Sequence, residues 1–203
     1  MKKITFIIFS LLFTKALLAS GNPLKRVNTF QFTSLIEGTP HADQNSFQIA
    51  SPTEEDQRGF HTTGLSPCFC FIVFDKQTGK TLFMSHYGPS SSSASFEEAK
   101  RDVEGHLDEL LLNLEQNYFE ESDLESDSEE EENPLSSLVS IVVLGGKEAS
   151  SGNSIQAIKE IAKEQYFPLS FSALNLAKPK EVLDVYAKDI KNIYIHLAEM
   201  AEE

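Results

Sequence analysis

The chain has 203 residues, 31 acidic against 17 basic, and a formal charge of −14 at neutral pH. A surface of that sign repels phosphate backbones and anionic lipid, which argues against nucleic-acid binding and membrane-surface attachment. The two cysteines, Cys68 and Cys70, are one residue apart. They are too close for an unstrained bridge, so the chain is not a disulfide-stapled scaffold.

Lys2 and Lys3 precede an apolar run, Ile4 to Leu18, broken by Thr5, Ser10, Thr14 and Lys15 and followed by Ala19, Ser20 and Gly21. That layout predicts a cleaved secretory leader over residues 1–21, and the run is too short to span a bilayer. Its removal takes away Lys2, Lys3 and Lys15 and no acid, moving the charge from −14 to −17. A single exported domain, secreted or periplasmic and free of the membrane, is expected over residues 22–203.

Residues 22 to 60 carry weak patterning: Phe30, Phe32 and Leu35 suggest a short strand, and His41 to Arg58 a loop. Cys68 to Phe74 is continuously apolar and predicts a strand covered on both faces. Asp75 to Lys80 reads as a turn, and Thr81 to His86 as the returning strand. Gly88 to Ser95 is a loop. Apolar residues at 99, 103, 107, 110, 111 and 114 then predict a helix, with Ser95 and Glu98 forming a capping box. An acidic run, Glu120 to Glu132, ends it and is expected to be a solvated insertion over about 120–134. Leu138 to Leu144 predicts a second buried strand closed by Gly145-Gly146. A helix capped by Asn153 or Ser154 follows, then a short strand at 167–171, a helix over 179–188 and a last strand over 192–197. The class expected is α/β or α+β: a layered domain of mixed sheet packed with helices.

Chemistry is expected at Cys68, His86 and Thr62. If the hairpin turns around residues 75–80, position 68 lies opposite position 86, and directly opposed Cβ atoms sit about 4.5–5.5 Å apart. A thiol beside an imidazole is a nucleophile with its base, suited to attack on a carbonyl carbon. Such a pair also needs a group to orient the imidazole and donors for the oxyanion, and Thr62 on the approaching loop can hold the imidazole or polarise the amide. Cys70 reads as core, and His41, His61, His106 and His196, which lack a comparable partner, as surface or satisfied histidines. No metal site is expected from two cysteines at this spacing, and no cofactor.

The stretch Thr62-Thr63-Gly64-Leu65-Ser66-Pro67-Cys68 resembles the T-L-G-L-G-S-C segment of the chemoreceptor glutamine deamidases, the CheD family. Asp75 seven residues on, His86 eighteen on, the Leu144-Gly145-Gly146 loop and Gly152-Asn153-Ser154-Ile155 extend the resemblance over roughly residues 28 to 175. It implies a CheD-like fold with Cys68 as nucleophile, His86 as base and Thr62 as orienting hydroxyl. The implied reaction is hydrolysis of a protein glutamine side chain to glutamate with release of ammonia. The layout is also similar to that of secreted bacterial deamidase toxins, which export would suit. Ser66-Pro67 departs from the family's Gly-Ser pair, and Pro67 brings no N–H. The alternative is a non-catalytic exported binding protein on the same scaffold. A thiol peptidase is disfavoured by the absence of a C-G-S-C-W stretch.

Overall fold

A computed structural model describes residues 24–50, 58–89, 95–119, 134–164 and 166–200. The expected leader, the acidic run Glu120 to Glu132 and part of the serine loop lie outside the described residues. Among the described residues the elements run β1 (Leu24–Arg26), α1 (Thr29–Ile36), β2 (Ser46–Ile49), β3 (Phe60–Leu65), β4 (Phe69–Asp75), β5 (Thr81–Tyr87) and α2 (Phe96–Asn117). A short 3-10 turn (Pro134–Ser137) leads to β6 (Val139–Gly145), α3 (Glu148–Glu164), β7 (Leu169–Leu174), β8 (Glu181–Asp189) and β9 (Asn192–Glu199). The fold is α+β, with two mixed sheets: β1-β9-β8-β3 and β2-β5-β4-β6-β7.

Alternation along β4 explains the layering. Phe69, Phe71 and Val73 face α2 and α3, where Val103, Leu107, Leu110, Leu114, Ile158 and Ile161 meet them. Cys68, Cys70, Ile72 and Phe74 face the other sheet, packing with Leu65, Leu183, Val185, Ala187 and Ile193. Every side chain from Phe69 to Phe74 is therefore buried, as a centrally placed strand demands. Helices, five-stranded sheet and four-stranded sheet form successive layers, and α1 lies on the outer side of the four-stranded sheet, with Phe32 stacked on His196 at 5.6 Å. Ser95 and Glu98 cap α2 in a capping box, and the six apolar positions expected to face inward are its buried ones.

Four local expectations are corrected. The segment with Phe30, Phe32 and Leu35 is helix α1 rather than a strand. Asn28 caps it by accepting from the Gln31 N–H, while the Gln31 side chain accepts from the Asn28 N–H. Part of the expected loop over 41–58 is the edge strand β2, paired with β5. Residues 181–189 form strand β8 rather than a helix: buried Leu183, Val185 and Ala187 recur at period two and pair across to β9. Helix α3 begins at Glu148 instead of near Asn153, and non-helical Ser151 (φ −139°) kinks it. The Ser151 hydroxyl caps the Lys147 N–H at 2.9 Å.

Candidate active site

Of the three expected site residues, Thr62 and His86 are hydrogen-bonded to each other, and Cys68 lies nearby, just before β4, without a hydrogen bond to either. The register of the hairpin differs from the expected one: His86 stands opposite Cys70, and Phe69 opposite Tyr87. Two one-residue shifts are responsible. Phe74 pairs with Thr81 rather than the expected Lys80, and Val73 pairs with Phe83, so Leu82 is an extra residue in β5 that slides the partner along once more. The total slip is two residues, an even number, so the imidazole stays on the sheet face it shares with both cysteines. Cys68 becomes its diagonal neighbour, a separation that an imidazole side chain can span.

The third residue lies in the other sheet. Thr62, on β3, places Oγ1 2.9 Å from His86 Nδ1 and 2.7 Å from the Ala42 carbonyl oxygen. A hydroxyl has one hydrogen and a carbonyl can only accept, so that hydrogen goes to Ala42. Both contacts are satisfied together only if Nδ1 carries a proton and donates it to Oγ1. His86 is thus the Nδ1–H tautomer, and Nε2 holds a lone pair. Nε2 is buried and, among the described residues, has no hydrogen-bond partner. An unpartnered buried acceptor costs free energy that the fold retains here. Burial, assisted by nearby His41, lowers the His86 pKa to about 4, so the ring is a neutral base at neutral pH.

No family model matches the chain, and no curated protein matches its sequence.

Cys68 and Cys70 are both free thiols. Cys70 is wholly enclosed, and burial pushes its thiol far up. Cys68 is 5% exposed. Burial raises its pKa as well, but the backbone at Ser66 and at Cys68 itself hydrogen-bonds the sulfur and pulls the other way. Sulfur and imidazole are therefore both neutral at neutral pH, and among the described residues no hydrogen bond joins Cys68 to His86.

The backbone around the sulfur is held by glycines that nothing larger could replace. Gly146 donates its N–H to the Cys68 carbonyl at 2.8 Å. Gly145 (φ +109°) runs so close that a Cβ would lie 2.6 Å from that same carbonyl oxygen. The Ser151 hydroxyl lies 3.1 Å from the Pro67 carbonyl, tying the α3 kink to the loop before Cys68. Gly88 opens a notch on the other side: a Cβ there would stand 3.6 Å from Cys68 Sγ, 3.2 Å from Gln44 Nε2 and 3.1 Å from Asn45 Oδ1. Asn45 Oδ1 holds the Gly88 N–H at 3.0 Å. Gln44 is exposed, and its side-chain amide nitrogen lies at the same notch.

Asp75, seven residues after Cys68, is at the far end of the strand, accepting from the Gln77 and Thr78 N–H groups in the turn. The remaining histidines are satisfied: His41 contacts Asp43 and Thr63, His61 contacts Thr39, and His106 contacts Ser85. His196 corrects the expectation most. It has a carboxylate partner, Asp184, at 2.9 Å, as well as Thr29 at 3.1 Å. Among the described residues no group of three or more His, Cys, Asp or Glu side chains could hold a metal ion.

Proposed function

We propose that the chain is an exported, cofactor-independent thiol amidohydrolase that converts glutamine side chains of a protein substrate to glutamate. The observation that carries this reading is the His86 ring. Its Nδ1 is anchored on Thr62, and its bare Nε2 lies buried and unpartnered on the face that Cys68 occupies. As substrate enters, the Cys68 proton passes to Nε2 and sulfur attacks the carboxamide carbon. The imidazolium then returns the proton to the leaving ammonia, and water hydrolyses the thioester. The oxyanion would be met by the Gln44 amide at the Gly88 notch. Export rests on the leader pattern of residues 2–21, and the resemblance around Thr62 to Cys68 favours glutamine over other carbonyl substrates.

The test uses an unfolded glutamine-rich protein such as reduced, carboxymethylated casein as probe. Ammonia release and the Gln-to-Glu mass change are read by coupled assay and peptide mass spectrometry. Wild type and Cys70→Ala should act and Cys68→Ala should not. Equal release by Cys68→Ala, or none from wild type, sinks the proposal.

A further inference from the structure

A second constellation lies on the opposite side of the four-stranded sheet. His196 on β9 stands directly across from Asp184 on β8. Its Nδ1 is 2.9 Å from Asp184 Oδ2, and its Nε2 is 3.1 Å from Thr29 Oγ1 at the first position of α1. Asp184 Oδ1 accepts the Gly64 N–H at 2.8 Å, which fixes the carboxylate. Phe32 stacked on His196 fixes the ring plane. A carboxylate only accepts, so Nδ1 carries a proton, and in the neutral ring Nε2 accepts from the Thr29 hydroxyl. Hydroxyl, Nε2, Nδ1 and carboxylate thus follow the order found in serine hydrolases.

Two features argue that this is more than a tie between α1 and the sheet. Asp184 and His196 are 9% and 8% exposed, and a buried ionisable pair is a poor way to gain stability. Thr29 and His196 also line an open surface depression of about 430 Å³, together with Arg26, Val27, Asn28 and Leu197. At the mouth of α1 the Asn28 side chain takes the Gln31 N–H and its carbonyl takes the Phe32 N–H. The N–H groups of Thr29 and Phe30 are first-turn donors beyond reach of any helical carbonyl.

We propose that Thr29, His196 and Asp184 form a second, thiol-independent acyl-transfer site that hydrolyses small carboxylic esters, with Arg26 selecting those bearing a negative charge. The Thr29 Oγ1–carbonyl carbon bond forms as the hydroxyl proton moves to His196 Nε2. The carbonyl electron pair moves onto oxygen, facing the Thr29 and Phe30 N–H groups. Collapse breaks the bond to the alcohol oxygen, which leaves with the proton from Nε2. Water, deprotonated by Nε2, then releases the acid and regenerates Thr29.

The test treats the intact chain with a fluorophosphonate, mapping the adduct by peptide mass spectrometry, and follows turnover of p-nitrophenyl acetate and p-nitrophenyl hemisuccinate. The expected result is an adduct on Thr29, absent in Thr29→Val, at least ten-fold slower in Asp184→Asn, and formed at least as fast in Thr29→Ser, where the crowding methyl is gone. Hemisuccinate should be preferred over acetate, and Arg26→Ala should erase that preference. Thr29 is exposed, so its two variants keep the fold even if Asp184→Asn does not. An unlabelled Thr29 in wild type, or undiminished ester turnover in Thr29→Val, overturns the site; loss of folding alone in Asp184→Asn, with Thr29→Val unchanged, reduces the constellation to a structural tie.

Discussion

Replacing Thr62 by Val keeps the shape of the side chain and removes only its hydroxyl, so the cost is polar rather than a cavity. Two groups lose their partner: the Ala42 carbonyl and the His86 Nδ1–H. Thr62 itself is fully buried, so water does not take the place of the lost hydroxyl. At roughly 1–3 kcal/mol for each orphaned group, the loss is about 2–6 kcal/mol. For a domain of this size that lowers Tm by about 5–25 °C. Chemistry should suffer separately, because the ring loses both its orientation and the anchor for its proton. Glutamine hydrolysis should fall at least about 10²-fold, the lower end of what a positioned base contributes. Long-range ¹H–¹⁵N correlation spectra read the tautomer directly: wild type should show His86 protonated at Nδ1 with Nε2 bare, and Thr62→Val should lose that pattern while Thr62→Ser keeps it. A wild-type ring protonated at Nε2 would refute the assignment, as would a Thr62→Val protein with unchanged Tm.

Stability should fall as pH drops below the ordinary histidine range. His86 and His106 both have pKa values lowered by burial to about 4 from 6.5, so the fold favours their neutral forms. Their contribution is complete above pH 6.5 and is lost as pH falls toward 4, at about 3 kcal/mol for each ring. Urea midpoints measured between pH 7 and 4 should decline with proton uptake on unfolding, and His106→Gln should reduce that uptake by about one proton; a flat profile contradicts the assignment. Gly145→Ala should cost about 2–5 kcal/mol, since its Cβ meets the Cys68 carbonyl and its φ suits only glycine. By contrast Gly105→Ala, in open space on α2, should gain about 0.5–1 kcal/mol by thermal melt.

Much of the layering was legible because its signals are local. The apolar stripe from Ala99 to Leu114 and its Ser95 cap belong to one helix, and the run Phe69 to Phe74 declares its two covered faces by itself. The errors arose where local pattern was ambiguous. Phe30 and Phe32 alternate like a strand, but the Asn28–Gln31 cap begins a helix. The segment 181–189 mixes helix formers with Val and Tyr, and pairing to β9 decided it. At the candidate site, the common face of Cys68 and His86 survived because two one-residue shifts add to an even slip. The exact opposition did not, because neither the longer turn nor the bulge at Leu82 has a distinctive residue to announce it. Thr62 comes from a separate sheet, so its nearness in sequence to Cys68 and the resemblance around it suggested the contact without any strand pairing to fix it. The Asp184–His196 pair was hidden by the helical reading of 179–188; two strands joined at Asp189 to Asn192 would have placed the two residues opposite each other.

The imidazole hangs from one sheet while the hydroxyl that aims it belongs to the other. Under the proposed reaction, competence at this centre would depend on how two slabs of backbone sit against each other, and a slide of about an ångström between them would break the alignment before any strand is lost. Activity should vanish at lower denaturant than the far-ultraviolet signal, which makes turnover a gauge of sheet-to-sheet packing in this molecule.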